Sequence, residues 1–295
     1  MIYLTGASGF VGRNLLPAIL DSGYQVRALL LPDELAPLAH SRLQWVHGDV
    51  RHQDSLSGHL NDIDIVIHNA GIVASADETL NHEINYLGTR NILELAGQGS
   101  IRKFIYVSAA AVKFKSLNAY GRSKKRAEEC VMASGLPYAI LRLPLIIGPG
   151  GQEFEQFVKY VKALPWLVPV FGNGQAIKRP VYIDDAVQAV IALIKAPGAP
   201  NRIYEVSCRE KLTLDQFIEA ICQRLGQKKR KIHIPLGLAL LLAKTAELIF
   251  GDKSPITKDI LKGLNEDVEF EVEPSLAEMH LQPLSVAEAL QKAIP

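Results

Sequence analysis

The sequence predicts an α/β fold, a doubly wound parallel sheet with a smaller C-terminal lobe, and three observations carry that prediction. Near-continuous apolar runs alternate with helical patterns as far as residue 147 of 295. A glycine-rich turn, Gly6-x-x-Gly9-x-x-Gly12, joins the first apolar run to the first helical pattern. After Gly148-Pro149-Gly150-Gly151 prolines and aromatics increase and the alternation loosens. Apolar strands separated by helices imply a parallel sheet covered on both faces.

Taken in order, Ile2 to Leu4 reads as a strand, and Asn14 to Leu20 continues the helix that follows the glycines. Gly23 to Leu31 is β-rich and closed by Pro32, and Leu43 to His47 leads into Gly48-Asp49-Val50. Ile63 to His68 is a continuous apolar strand ending in Asn69-Ala70-Gly71. A helix follows over about 81–96, then a strand from Lys103 to Ser108, a helix over about 119–134 and a strand from Tyr138 to Leu143. Val181 to Ile183 and the helix from Asp184 to Ile194 return to the main sheet, with Asp184 as the expected N-cap. Arg202 to Val206 adds a strand. Thr213 to Leu225 is an amphipathic helix opening on a Thr cap, with Gly226 where a C′ residue belongs.

Composition excludes several classes. Thirty-two basic and 31 acidic residues give a net charge of +1, which offers no field for nucleic acid or an anionic membrane. An apolar fraction of 48% suits a globular chain. Cys130, Cys208 and Cys222 are odd in number and lack C-x-x-C spacing, which predicts a reducing compartment and no metal site. The eight histidines are scattered. A strand at residue 2 leaves no room for a signal peptide, and the longest apolar run, Ile234 to Ala243, is about half a membrane span. A cytoplasmic location is expected. The run Gln227-Lys-Lys-Arg-Lys231 has no interleaved aromatics and reads as a solvated loop. The apolar stretch Pro235 to Phe250 fits a lipid-like substrate, a membrane surface or a partner, and a helix covering the second lobe is preferred.

Two sites carry chemistry. In the opening unit, backbone N–H groups at a helix start face a pyrophosphate. There Gly6 turns with positive φ, Gly9 leaves room for the phosphate, and Gly12 lets the helix approach the strand. Further on, Tyr120 and Lys124 stand one helical turn apart. A phenol titrates near ~10, and a neighbouring ammonium favours the phenolate, which suits proton exchange with a substrate hydroxyl or carbonyl. An ordinary helix surface shows the same spacing.

With Thr5-Gly-Ala-Ser-Gly-Phe-Val-Gly12, Tyr120-x-x-x-Lys124, Leu141-Arg-Leu-Pro144 through Gly150, and Arg179-Pro-Val-Tyr-Ile-Asp-Asp185 in order, the chain resembles the extended short-chain dehydrogenase/reductases, the NAD-dependent epimerase/dehydratase group. The resemblance implies a Rossmann domain at 1–147 and 180–207 and a substrate-binding lobe at 148–179 and 208–295. It makes Tyr120 the acid/base and has Lys124 lower its pKa and hydrogen-bond the nicotinamide ribose. Gly6, Ser8, Gly9, Phe10, Val11, Gly12 and Arg13 form the phosphate turn. Asp49 and Val50 lie along the adenine, and Asn69, Ala70 and Gly71 along the ribose and phosphates. Asn85 supports the active-site strand and stands among the cofactor-binding residues, and Leu143, Pro144 and Ile146 line the nicotinamide. Arg179 reaches the substrate or forms a structural salt bridge, and Asp185 anchors the second lobe. The segments 256–264 and 281–290 resemble the tails of relatives close to an accessory subunit of respiratory complex I, which are often structural.

Two departures stand out. The family hydroxyl that orients the substrate falls at Ala109, with Ser108 as its possible substitute. The end of the second strand holds Leu30 and Leu31 instead of an acidic residue, while Arg13 and Arg51 could attract a 2′-phosphate and Asp33 and Glu34 come late. That favours NADP over NAD. Ala110 and Ala111 replace the Asp-Glu pair of dehydratases. The expected activity is hydride transfer at a secondary alcohol or ketone of an apolar or steroid-like substrate. The alternatives are a nucleotide-sugar epimerase and an NAD(P)-binding structural subunit, and a homodimer is expected from the family.

Overall fold

The computed structural model describes residues 1–73, 77–198, 200–250 and 257–294, without the side chains of 242 and 246–250. Ile256, which opens one of the tail segments, lies outside them, as do the last side chains of the apolar stretch 235–250.

Seven parallel strands form the central sheet: β1 (Ile2–Thr5), β2 (Val26–Leu30), β3 (Leu43–His47), β4 (Ile65–His68), β5 (Lys103–Ala109), β6 (Tyr138–Leu143) and a later strand, Arg202–Glu205. Their spatial order is Arg202–Glu205, β6, β5, β4, β1, β2, β3, so the order reverses at β1 and β4. That reversal is where a doubly wound sheet opens a crevice at its carboxyl edge. The strands from β1 through β6, apart from the β3 edge, are almost wholly buried, because helices lie on both faces. One face carries α1 (Phe10–Asp21), and the other carries α2 (Glu78–Asn81), α3 (Gly88–Ala96) and α4 (Ala119–Ala133). Between α2 and α3 a π-helical turn, His82–Leu87, keeps the helix continuous but widens it around Asn85.

After β6 the chain makes β7 (Ile146–Ile147), α5 (Gln152–Lys162), β8 (Leu167–Phe171), β9 (Ile177–Lys178) and β10 (Val181–Tyr182). Next come α6 (Ile183–Lys195), β11 (Arg202–Glu205, the outermost strand of the main sheet) and β12 (Leu212–Thr213). The chain ends with α7 (Leu214–Arg224), β13 (Arg230–Ile234), α8 (Leu236–Phe250), α9 (Lys258–Asn265), α10 (Val272–Glu278) and α11 (Val286–Ala293). The short strands pair as β10 with β7, β12 with β9 and β13 with β8.

Several expectations are met in detail. Thr213 and Gln216 form a capping box at the start of α7, and Gly226 follows its C-terminal end with φ +65°. Asp185, in the first turn of α6, accepts the amide of Leu284 at 3.0 Å and ties that helix to the segment before α11. Three details differ. Val181–Tyr182 pairs with β7 and does not join the main sheet. Tyr182, not Asp184, is the N-cap of α6, because the helix begins two residues earlier than a cap at Asp184 implies. The basic run 227–231 is not a solvated loop throughout. Lys229 caps the carbonyls of Val161 and Leu164, and Arg230 and Lys231 open β13.

Candidate active site

At the carboxyl edge, the glycine turn is shaped by close backbone approach. Gly6 has φ +67°, and a Cβ there would lie 2.7 Å from the Ala70 nitrogen. On Gly12 a Cβ would meet the Gly6 carbonyl oxygen at 2.0 Å, so only glycine lets α1 come this near β1. Gly9 is different: a Cβ there would touch only the Gly6 oxygen, at 3.4 Å, and would otherwise face open space. Gly9 caps α1 without a side chain, and the helix has no acidic residue in its first turn. The amides of Phe10, Val11 and Gly12 are thus the uncapped donors of a helix start, and they fit a dinucleotide pyrophosphate.

The far side of the crevice is pinned by a buried polar chain. Thr5 Oγ1 accepts the amides of Asn69 and Ala70 at 3.2 and 3.0 Å, which leaves its proton for His68 Nδ1 at 2.7 Å. His68 must then carry its own proton on Nε2 and donate it to Thr89 Oγ1 at 3.0 Å, while Thr89 donates to the Asn85 carbonyl at 2.6 Å. Burial depresses the His68 pKa to about 3, so the ring is neutral. Asn69 Nδ2 also donates to the Gly6 carbonyl. This arrangement fixes Asn69, Ala70 and Gly71 against the glycine turn.

Asn85 is fully buried, which corrects its expected place among the cofactor contacts. Its amide accepts Ile72 N and donates to the Ile72 carbonyl, Asn81 Oδ1 and Ser123 Oγ. Ser123 Oγ in turn donates to the Tyr120 carbonyl. Asn85 therefore joins the loop after β4 to the first turn of α4, and a Cβ on Gly71 would lie 2.9 Å from its oxygen.

On α4, capped by the Asn118 side chain, Tyr120 and Lys124 stand as the spacing predicts. The Tyr120 hydroxyl makes no hydrogen bond among the described residues. Lys124 is buried, donates to the Val107 carbonyl at 2.7 Å and lies 4.2 Å from the centre of the Tyr106 ring. Burial lowers its pKa to about 7, against the pull of Glu128. The expected depression of the phenol does not occur in this arrangement. Burial, followed by the Glu153 carboxylate, pushes the Tyr120 phenol up, and the ammonium faces a strand carbonyl instead.

Ser108 does not replace the hydroxyl missing at Ala109. Strand alternation turns it to the α4 side, where it donates to Glu128 Oε1 at 2.6 Å. Glu128 is paired with Arg142 at 2.7 Å, Arg142 with Glu205 at 3.2 Å, and Glu205 with Lys113 at 2.9 Å. Ala109 ends β5 opposite Leu143, and Pro144 and Ile146 follow, partly covered.

Arg179 is also corrected. It is 4% exposed, donates to the carbonyls of Phe270, Cys208 and Arg209, and forms no ion pair among the described residues. Its neighbour Lys178 donates to the Glu266 carbonyl at 2.7 Å.

Around the adenosine side, Asp49 is held by Arg51 at 2.6 Å, and Val50 packs beside Gly88. Burial works against the Asp49 carboxylate, but the Arg51 bonds outweigh it and hold the pKa below the usual range. Arg13 donates to the Gly150 carbonyl at 2.6 Å and lies over the Phe10 ring, so both arginines expected for a 2′-phosphate are engaged. Glu34 is the residue that sequence reasoning undervalued. Its carboxylate accepts Ser8 Oγ at 3.0 and 3.1 Å and the Leu31 amide at 3.1 Å. The turn after Leu31 folds it back onto the end of β2, where the sequence itself places only Leu30 and Leu31. Among the described residues no cluster of His, Cys, Asp and Glu could hold a metal.

The comparison with known proteins decides the family. Residues 2–207 match the model of the NAD-dependent epimerase/dehydratase family. The chain belongs to that family. Among epimerase/dehydratase relatives, a ceramide reductase of Caulobacter vibrioides is 27% identical, covering 80% of this chain and 74% of its own. A 3β-hydroxysteroid dehydrogenase/Δ5→4-isomerase of Mycobacterium tuberculosis is 25% identical over 100% and 89%. Subunit 9 of the NADH dehydrogenase [ubiquinone] 1 alpha subcomplex of Arabidopsis thaliana is 26% identical over 81% and 61%. In fold, the UDP-glucuronic acid 4-epimerase of Bacillus cereus, solved with NAD, superposes with a TM-score of 0.76 at 21% identity over 99% and 96% of the two chains. Members of this family are enzymes that use NAD, and the Rossmann sheet described above is their fold.

Proposed function

We propose that this chain is an NAD-dependent oxidoreductase acting at a secondary alcohol or ketone on an apolar-bodied substrate, with Tyr120 as the acid/base. The observation that carries the reading is the Tyr120 phenol: it is unbonded among the described residues and stands one turn before Lys124 on a helix fixed to the crevice through Ser123 and Asn85. When bound, the nicotinamide supplies or accepts the hydride. The chain's own residues do the rest. Phe10 to Gly12 bind the pyrophosphate with their amides, and Glu34 accepts a ribose 2′-hydroxyl. Tyr120 holds the proton at its hydroxyl, and Lys124, with a pKa about 7, swings from the Val107 carbonyl to stabilise the phenolate. With alanine at 109, substrate orientation rests on apolar contact, and the chemical step is slower by about 2–4 kcal/mol than with a positioned hydroxyl donor.

Glu34 also reverses the cofactor preference suggested by Leu30 and Leu31, because a carboxylate at Ser8 repels a 2′-phosphate and both Arg13 and Arg51 are engaged elsewhere. The nucleotide-sugar reading is weakened by Lys178 and Arg179, the cations near the second lobe, since both point onto backbone carbonyls. A structural subunit remains the second reading, favoured by Ala109 and by the engagement of Ser108. The test is a fluorescence titration with NADH and NADPH, then a carbonyl panel with wild type and Tyr120→Phe. Tight NADH binding and turnover that Tyr120→Phe abolishes support the proposal. Binding without turnover, or turnover that the variant leaves unchanged, sinks it.

A further inference from the structure

The ribbon of β8 and β13 and the helix after it leave an edge that the rest of the chain does not cover. In α8, Ala239 and Ala243 pack on Phe171 and Leu261, with Leu236 and Leu240 partly covered. On its other side Leu238 and Leu241 are 51% and 60% exposed. Leu238 and Leu241 are one turn apart, so they form an exposed apolar stripe on that side. Ile232, on the strand leading into α8, is 50% exposed, and Trp166, beside Arg230 through a backbone hydrogen bond, is 78% exposed. Leu164 is exposed next to it. Exposed apolar groups scattered singly are ordinary, but these follow one edge.

Exposed cations without an ion-pair partner lie along these elements. Lys162 at the end of α5, Lys228 and Arg230 before and in β13, and Lys244 on α8 are exposed and form no ion pair among the described residues. On α7 beside the ribbon, Asp215 is engaged with His233 and Glu219 with Lys231. Asp259 lies in the first turn of α9 beside exposed Ile260. A two-fold contact between copies would set these cations against one another. An anionic surface complements both features, the cations over phosphates and the apolar groups below them. No helix among the described residues is long and apolar enough to cross a membrane, so the contact would be peripheral.

We propose that this edge, comprising Leu164 to Trp166, Lys228 to Ile232 and the Leu238/Leu241 side of α8, docks on an anionic lipid bilayer. Trp166, Leu238 and Leu241 enter the headgroup boundary, where an indole's apolar body and N–H are both accommodated. The docking does not depend on the cofactor or on Tyr120.

The test uses the full chain with vesicles of phosphatidylcholine, alone or mixed with phosphatidylglycerol. The protein should sediment with the mixed vesicles and not with the neutral ones, release as salt rises, and show blue-shifted tryptophan emission. Lys228→Gln with Arg230→Gln changes only exposed side chains and should weaken partitioning about thirtyfold, roughly fivefold for each charge. Leu238→Ser with Leu241→Ser should abolish it while NADH binding is kept. Failure to sediment with mixed vesicles, or equal sedimentation of wild type and the charge variant, overturns the proposal. So does a concentration-dependent dimer, lost in the leucine variant, in a chain that ignores vesicles.

Discussion

A single carboxylate can separate two cofactors that differ by one phosphate. With Glu34 accepting the ribose hydroxyl, NADH should bind at least tenfold tighter than NADPH, and Glu34→Gln should erase most of that gap, about 1.5–3 kcal/mol for a charged hydrogen bond. Paired fluorescence titrations check it. Ser108 gives a contrasting case. Ser108→Ala removes a donor to buried Glu128, so it should lower stability by about 1.5–3 kcal/mol in denaturant melts while leaving the chemical step unchanged. For His68 the sign follows from burial. Its folded pKa, about 3, lies below the unfolded value, so the unfolded chain binds more protons between the two. Stability is full above pH ~6.5 and falls by up to ~1.4 kcal/mol per unit as pH drops towards 3. His68→Gln should flatten that slope, read from unfolding midpoints at successive pH values.

At the scale of elements, the opening unit is the most sensitive. Gly12→Ala places a methyl carbon 2.0 Å from the Gly6 oxygen, so β1 and α1 must separate. A loss of about 3 kcal/mol or more and a collapse of NADH affinity are expected, measured by thermal shift with and without NADH. Most elements of the main sheet were legible, because strands buried on both faces leave unbroken apolar runs such as Ile63 to His68. The π-turn at His82–Leu87 was not, since widening by one residue leaves the helical pattern nearly intact. The ribbon of β8 and β13 was also missed. Its second strand does alternate, Lys231-Ile232-His233-Ile234, with the polar pair meeting Glu219 and Asp215 on α7. Four residues that merge with the basic run before them are too short a signal, however, and Pro169 interrupts the first strand. The site divides in the same way. Glycines and the Tyr120/Lys124 spacing are local signals, whereas Glu34 reaches Ser8 only through a turn, and Arg179 looks like any ligand cation until its carbonyl partners are seen.

Across the whole molecule, buried cations act as fasteners between distant segments. Lys103 donates to the carbonyls of Leu193 and Ala196 and closes the end of α6, while Arg179 joins the strand region near 179 to residues 208–209 and 270. Arg179→Met strands several buried carbonyls, and about 3 kcal/mol of stability should be lost in urea melts with the Michaelis constant unmoved. An effect on the Michaelis constant alone would return Arg179 to the substrate.

One further fastener shapes how a ligand meets the crevice. Glu266, after α9, accepts the amides of Lys115 and Ser116 at 2.9 and 3.0 Å, on the connection that leads from β5 to Tyr120. That connection is therefore already ordered before anything binds. Association does not have to freeze this connection, and calorimetry should show a correspondingly small ordering penalty. The same rigidity narrows choice: a wall that cannot reshape itself admits molecules by their contour and leaves little latitude for those of another shape.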